Sequence, residues 1–194
     1  MRSRILGVVC LVLCMGLSAS LFAESVPFEI NGEIRVRNEN DARDFNSETG
    51  LKSFNLMRTR LGVSVNPAQD MHVFVQVQDS RVQGVASPST TPGVQEDTRL
   101  DLHQGFFEVQ NWGWTGFGVK AGRMEVRFGN ERLVGVNDWD NVSRTFDGVM
   151  ALFSNEKVKV KTLFANLVER DTPTVGDPDS ENSDATLQGA FSTL

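Results

Sequence analysis

The sequence predicts an all-β protein, an antiparallel transmembrane β-barrel of outer-membrane type that is truncated, with about eight strands present. Three observations carry this expectation. Residues 156–169 read EKVKVKTLFANLVE, so on a strand Lys157, Lys159 and Lys161 would line one face while Val158, Val160, Thr162 and Phe164 line the other. A helix would scatter the lysines around more than half of its circumference, and valine and threonine are poor helix formers. Short and long connections alternate between segments of this kind. Finally, an apolar leader is followed by no segment long and apolar enough to cross a membrane as a helix, which leaves crossing by strands open.

The leader comes first. Arg2 and Arg4 precede an uncharged apolar run over 5–17, and small residues follow up to Ala23, the layout of a secretory signal peptide cleaved after Ala23. The alternative, a membrane anchor, needs about 20 apolar residues, more than this run supplies. Cys10 and Cys14 both fall inside the leader, so the unit over 24–194 is expected to work without disulfides. A chain of its size can bury a core without such staples.

Eight candidate strands follow. The first puts Phe28, Ile30, Gly32, Ile34 and Val36 on one face, and Glu29, Asn31, Glu33, Arg35 and Arg37 on the other. The second, over 55–65, sets Met57, Leu61, Val63 and Val65 against Arg58, Arg60, Gly62 and Ser64. In the third, Met71, Val73, Val75 and Val77 oppose His72, Phe74, Gln76 and Gln78. The fourth, over 103–111, alternates less cleanly, with Phe107 and Val109 opposite Gln104, Phe106, Glu108 and Gln110. The fifth, over 116–122, is short and carries Lys120 between Val119 and Ala121. The sixth, over 145–154, is apolar on both faces, so its orientation is open. The lysine strand is the seventh, and 185–194 begins an eighth.

Between these strands the segments 66–70, 111–116 and 154–156 are short, whereas 39–54, 79–101, 123–144 and 169–184 are long and polar. Outer-membrane barrels have short turns on one side of the membrane and long loops on the other, which is this rhythm. A soluble, periplasmic or secreted β-sandwich binding acidic sugars is the alternative, but its loops cluster at both ends and give no reason for the alternation. A small structural barrel is a further one.

Charge separates by face. The formal net charge is −6, or −8 without Arg2 and Arg4, yet the polar strand faces carry Arg35, Arg37, Arg58, Arg60, Lys120, Lys157, Lys159 and Lys161 against Glu29, Glu33 and Glu108. Inside a barrel such an excess of cations would draw in anions, because low-dielectric walls concentrate the field. Solvation, or pairing of Glu33 with Arg35 or Arg60, is the competing account. Nucleic acid is a poor partner for an acidic chain with no basic helix and no aromatic-basic strand motif.

From Gly122 the sequence reads GRMEVRFGNERLVGVNDWDNVSRTFDGV, and upstream VFVQVQDSR follows the paired arginines of MRTRLGV. These segments resemble the alginate export family of Gram-negative outer-membrane porins. The matching positions are Gly122, Arg123, Gly129, Arg132, Leu133, Val134, Gly135, Trp139, Arg144, Thr145, Phe146, Asp147 and Gly148. The resemblance runs from about Ile34 to Glu169. It implies a barrel of roughly eighteen strands whose electropositive lumen passes an anionic polysaccharide, with 24–194 as its N-terminal part. The partners it implies are outer-membrane lipid, an anionic saccharide or small anion, and the barrel assembly machinery. Arg123, Arg132 and Arg144 can fork onto Asp79, Asp138 or Asp147. On one reading these pairs only pin an inward-folded loop; on the other, the arginines present positive charge to a passing uronate. Asp79, Asp138 and Asp147 are the expected pins, and Arg123 and Arg132 the expected path residues together with Arg144 and the strand cations.

Two features depart from the family's pattern. The chain carries too few strands for so large a barrel and ends without an aromatic residue, which points to a fragment. An eight-stranded barrel would have a lumen filled by side chains. Tyrosine is absent, so Phe28, Phe54, Phe107, Phe117, Phe164, Trp112 and Trp114 would have to form the aromatic girdles. No enzyme, metal or cofactor is expected: His72 and His103 lie on separate strands, and a zinc site would need carboxylates to complete it. The acidic stretch 171–184 has calcium-binding oxygens but no defined loop spacing.

Overall fold

The structure is a computed structural model and describes residues 26–41, 51–84, 97–167 and 186–193. The predicted leader and the acidic stretch 171–184 lie outside the described residues. Eight strands form one antiparallel sheet in chain order: β1 (Phe28–Asp41), β2 (Lys52–Ala68), β3 (Met71–Gln83), β4 (Asp97–Val109), β5 (Phe117–Met124), β6 (Phe146–Ser154), β7 (Lys159–Leu167) and β8 (Thr186–Thr193). Each strand pairs with its sequence neighbours, and the sheet is open, with β1 and β8 at its edges. One sheet of eight strands is not the two packed sheets of a sandwich, and it does not close as a small barrel. It is an up-and-down barrel wall, incomplete.

Register places the side chains. Ile30, Val63 and Val75 lie side by side across β1, β2 and β3, as do Phe28, Val65 and Val73. On this outer face Phe28, Ile30, Ile34, Val36, Leu61, Val63, Val75, Phe107, Val149 and Phe164 are exposed. A soluble monomer rarely leaves so continuous an apolar surface in water, whereas a barrel wall needs one against lipid. Opposite them, Glu33, Arg35, Arg58, Arg60, Gln76 and Gln78 form a polar inner face.

Several strands run further than the sequence pattern suggested. β2 begins at Lys52, β3 continues through Asp79 to Gln83, and β4 begins at Asp97. These extensions lie at the loop ends, where apolar residues are fewer and change face, with Phe54 buried on the inner side against Val82, so the alternation weakens although the backbone ladder continues. Lys157 is corrected in the other direction. It sits in the β6–β7 turn, where its N–H and that of Val158 donate to Asn155 Oδ1, so only Lys159 and Lys161 belong to the strand. The undecided sixth strand turns Phe146 and Met150 inward, both buried. In the β4–β5 turn Gly116 has φ +85° beside the Ser154 carbonyl, a place no other residue could take. The exposed Trp112 and Trp114 of that turn stack on Phe117, with ring centroids 6.4 and 4.7 Å apart.

The sheet curls around the connection 125–145. The Phe128 N–H donates to the Val134 carbonyl at 3.2 Å, which folds this segment back on itself. Yet Phe128 stacks on Phe191 of β8 with centroids 5.5 Å apart, while the Asp138 carbonyl accepts from Arg35 of β1 at 2.6 Å. In a flat sheet β1 and β8 would be about 34 Å apart, at ~4.8 Å per strand. Strand side chains stand perpendicular to the sheet and add little sideways reach, so both edges bend toward the loop.

Val63→Arg tests the assignment of faces. With its neighbours Ile30 and Val75 against lipid, it should destabilise the protein by about 2–4 kcal/mol in urea titrations in lipid vesicles. Gln76→Arg, on the inner face, should cost clearly less. Equal losses would mean that the faces are wrongly assigned.

Candidate functional site

The loop 125–145 covers the arginine face. Its apolar residues Val126 and Val136 are fully buried, and Phe128 and Val134 pack on a core of Phe106, Met124, Phe146, Met150, Leu163 and Ala165. The segment is compact because Gly129 takes φ +58° and Asn137 φ +48°, left-handed conformations that Gly and Asn adopt most readily. Glu131 closes the turn, accepting from the Val136 N–H at 3.1 Å and from Arg127 at 2.9 Å.

Four arginines from β1 and β2 hold the loop. Arg35 donates to the carbonyls of Asp138 and Asp140 at 2.6 and 2.7 Å, and Arg37 donates to the intervening Trp139 carbonyl at 2.6 Å. Three consecutive loop carbonyls are therefore each bound by a guanidinium. Arg58, only 1% exposed, is paired with Glu33 at 2.6 Å and with Asp138 at 3.0 Å. Arg60 donates to Gln78 at 2.6 Å and to Ser143, and lies 3.4 Å from Glu125. A guanidinium taken out of water costs several kcal/mol unless its donors are satisfied, and the partners of the two most buried, Arg58 and Arg60, satisfy theirs.

Glu125 is the acid at the centre of the second cluster. His103 Nε2, fully buried, donates to it at 2.9 Å, and Ser143 Oγ lies 3.2 Å from the same nitrogen. Burial opposes the charge on Glu125, but the hydrogen bond from His103, the charges of Arg60 and His103 and the hydrogen bond from Arg127 outweigh it and hold the pKa down to about 2. Asp140 goes the other way: burial raises it, against the pull of Arg144, Arg37 and Arg35.

The expected site residues are thus divided among separate roles. Arg35, Arg37, Arg58 and Arg60 converge on the loop, and Asp138 is the carboxylate that meets Arg58, Arg60 and Arg35. Arg123 lies on the face opposite its neighbour Met124 and forks onto Asp147 of β6, both bonds 2.8 Å. Asp147 accordingly ties two strands together instead of tying the loop to the wall. Asp79 likewise binds Arg81 of its own strand, at 2.8 Å through each oxygen. Arg132 and Arg144 are exposed on the loop. Lys120, Lys159 and Lys161 lie on the inner face toward the turn end, with Lys120 3.6 Å above the Phe106 ring. Glu125 and Ser143 did not stand out from the sequence, Gln78 was placed only on the polar face of its strand, and His103 was weighed only with His72 as histidines on separate strands. His103 sits at a β4 irregularity, where the register shifts between Gln76 and Val77, so alternation could not show it turned inward. Among the described residues no group of three or more His, Cys, Asp or Glu side chains is placed to hold a metal ion.

A family model described as Alginate export matches residues 26–168. The chain belongs to the alginate export family. Membership makes it an outer-membrane protein of a channel family that exports polysaccharide, a transport family and not an enzyme family. No curated protein matches the chain. The family supplies the setting in which the two faces make sense, lipid outside and a polar conduit within.

The folded pKa of Glu125 lies below its ordinary value of 4.5, so its contribution to loop docking is complete above that pH and is lost as pH falls through about 2. Protonation of Asp140 has the opposite sign and does not release the loop. Hydrogen exchange over 125–145, corrected for intrinsic rates, should show constant protection down to about pH 4.5 and loosening below it. Glu125→Gln should weaken that dependence and leave the part due to Glu131, whose carboxyl Arg127 and the Val136 N–H hold below its ordinary value. Full protection in the unaltered protein at pH 2 would exclude Glu125 as a holder of the loop.

Proposed function

We propose that the chain is the N-terminal part of a passive, anion-selective outer-membrane channel for anionic saccharides, preceded by a signal peptide over 1–23 and delivered to the membrane by the barrel assembly machinery. The observation that carries this reading is the inner-face lysine group. Among the described residues, Lys159 and Lys161 make no ion pair, and Lys120 is attracted by Glu108 and Glu125 and repelled by Lys161. Unpaired like charges facing one compartment repel one another and favour anions there.

The four arginines support the channel differently. Their charge is largely answered by Glu33, Glu125, Asp138 and the loop carbonyls, so they hold the constriction in place and contribute little free charge to the path. Arg132 and Arg144, exposed on the loop, and the three lysines are the cations that a passing uronate would meet. Arg123, neutralised by Asp147 on the other face, is left out of the path.

Reversal potentials in planar bilayers under a salt gradient test this division. Lys120→Glu, Lys159→Glu and Lys161→Glu together should lower anion over cation permeability, and the single changes should each do so in part. Unchanged selectivity in the triple variant would overturn the anion-channel reading.

A further inference from the structure

Trp139 is held with unusual firmness for a residue so open to solvent. Its side chain is 66% exposed, and no hydrophobic cluster includes it. Its own carbonyl and those of both neighbours are bound by Arg35 and Arg37, which fixes the backbone on which the indole stands. The Arg37 guanidinium lies 4.1 Å from the ring centroid and covers one face of the indole. That stack sets the ring plane and adds to its rigidity. Ordering an exposed, bulky side chain without burying it gains little for folding.

We propose that the open face of Trp139 is a stacking platform for a pyranose ring, a binding subsite at the loop end of the channel. The inference rests on the saccharide-channel reading for its ligand class. Pyranose rings present a flat array of C–H bonds that suits an aromatic face, and a ring already fixed in orientation loses little freedom on binding. The cation that would meet a uronate there is Arg144, exposed nearby and close enough to act on Asp140, whereas Arg37 behind the ring is paired with Glu39 and serves to orient the indole. The adjacent carboxylate of Asp138 is engaged by Arg58 at 3.0 Å, which lessens its repulsion of an anionic sugar. The subsite lies apart from the lysine group: β1 and the loop build the one, β5 and β7 the other.

Calorimetric titration of the purified protein in detergent with a uronic-acid oligomer tests the subsite without requiring conduction. Trp139→Leu, which keeps apolar bulk but no flat ring, should weaken binding by about tenfold, within the range that loss of an aromatic stack gives. Trp139→Phe, which keeps a smaller ring, should retain most of the affinity. Equal affinities for the leucine and phenylalanine variants, or no binding by the unaltered protein, would overturn the subsite. Neither result bears on reversal potentials, so a failed subsite and a failed channel are told apart.

Discussion

Placing two arginines in a nearly water-free space is the constraint on which the rest of this structure depends. Arg58 and Arg60 are 1% and 6% exposed, and a charge so buried must be met by carboxylates and hydrogen-bond acceptors. Among the described residues the wall supplies only Glu33 and Gln78 for this purpose. The remainder comes from the loop, as Glu125, Asp138, Ser143 and the Asp140 carbonyl. The loop cannot leave without stripping those arginines of their partners. Its docking therefore follows from the charge pattern of β1 and β2, and the buried valines reinforce it.

The same constraint divides the interior by height. Toward the loop end, cations are matched by acids and the space is occupied; toward the turn end, Lys159 and Lys161 stand exposed without a carboxylate partner among the described residues. The outer face has a parallel division. It is apolar through Val63, Val75 and Val149, then closes with paired charges, Asp79 with Arg81 and Arg123 with Asp147. Mutual pairing at the edge of an apolar band keeps these charges satisfied where lipid gives way to a polar phase. Thus two faces in contact with different media account for the distribution of charge in a chain whose net charge is negative.

Much of the wall was legible from alternation alone, because a strand between lipid and a polar interior must alternate. The parity of β1, β2 and β3 follows directly from residues such as Ile34 beside Arg35 and Val77 beside Gln78. β6 gave no parity, since Phe146 and Met150 pack beneath an apolar loop while Val149 meets the outside, so both faces are apolar. The site was legible in composition and not in pairing. Asp138 could be foreseen as a pin because carboxylates near arginines tend to find them, but Asp79 and Asp147 are taken by Arg81 and Arg123, which are closer in the ladder. The bonds to the Asp138, Trp139 and Asp140 carbonyls had no signal at all, because every residue has a carbonyl and only the loop's path decides which ones face a guanidinium.

The loop lies docked on the arginine face, and cysteine accessibility probes that docking without an intermediary. In a background lacking Cys10 and Cys14, single cysteines replace Val136, which is 0% exposed, and Leu133, which is 96% exposed. Maleimide labelling of the folded protein in lipid vesicles should be rapid at Leu133→Cys and nearly absent at Val136→Cys, with both labelled after denaturation. Equal rapid labelling of the two in the folded state would contradict the account, since the loop would then stand away from the wall.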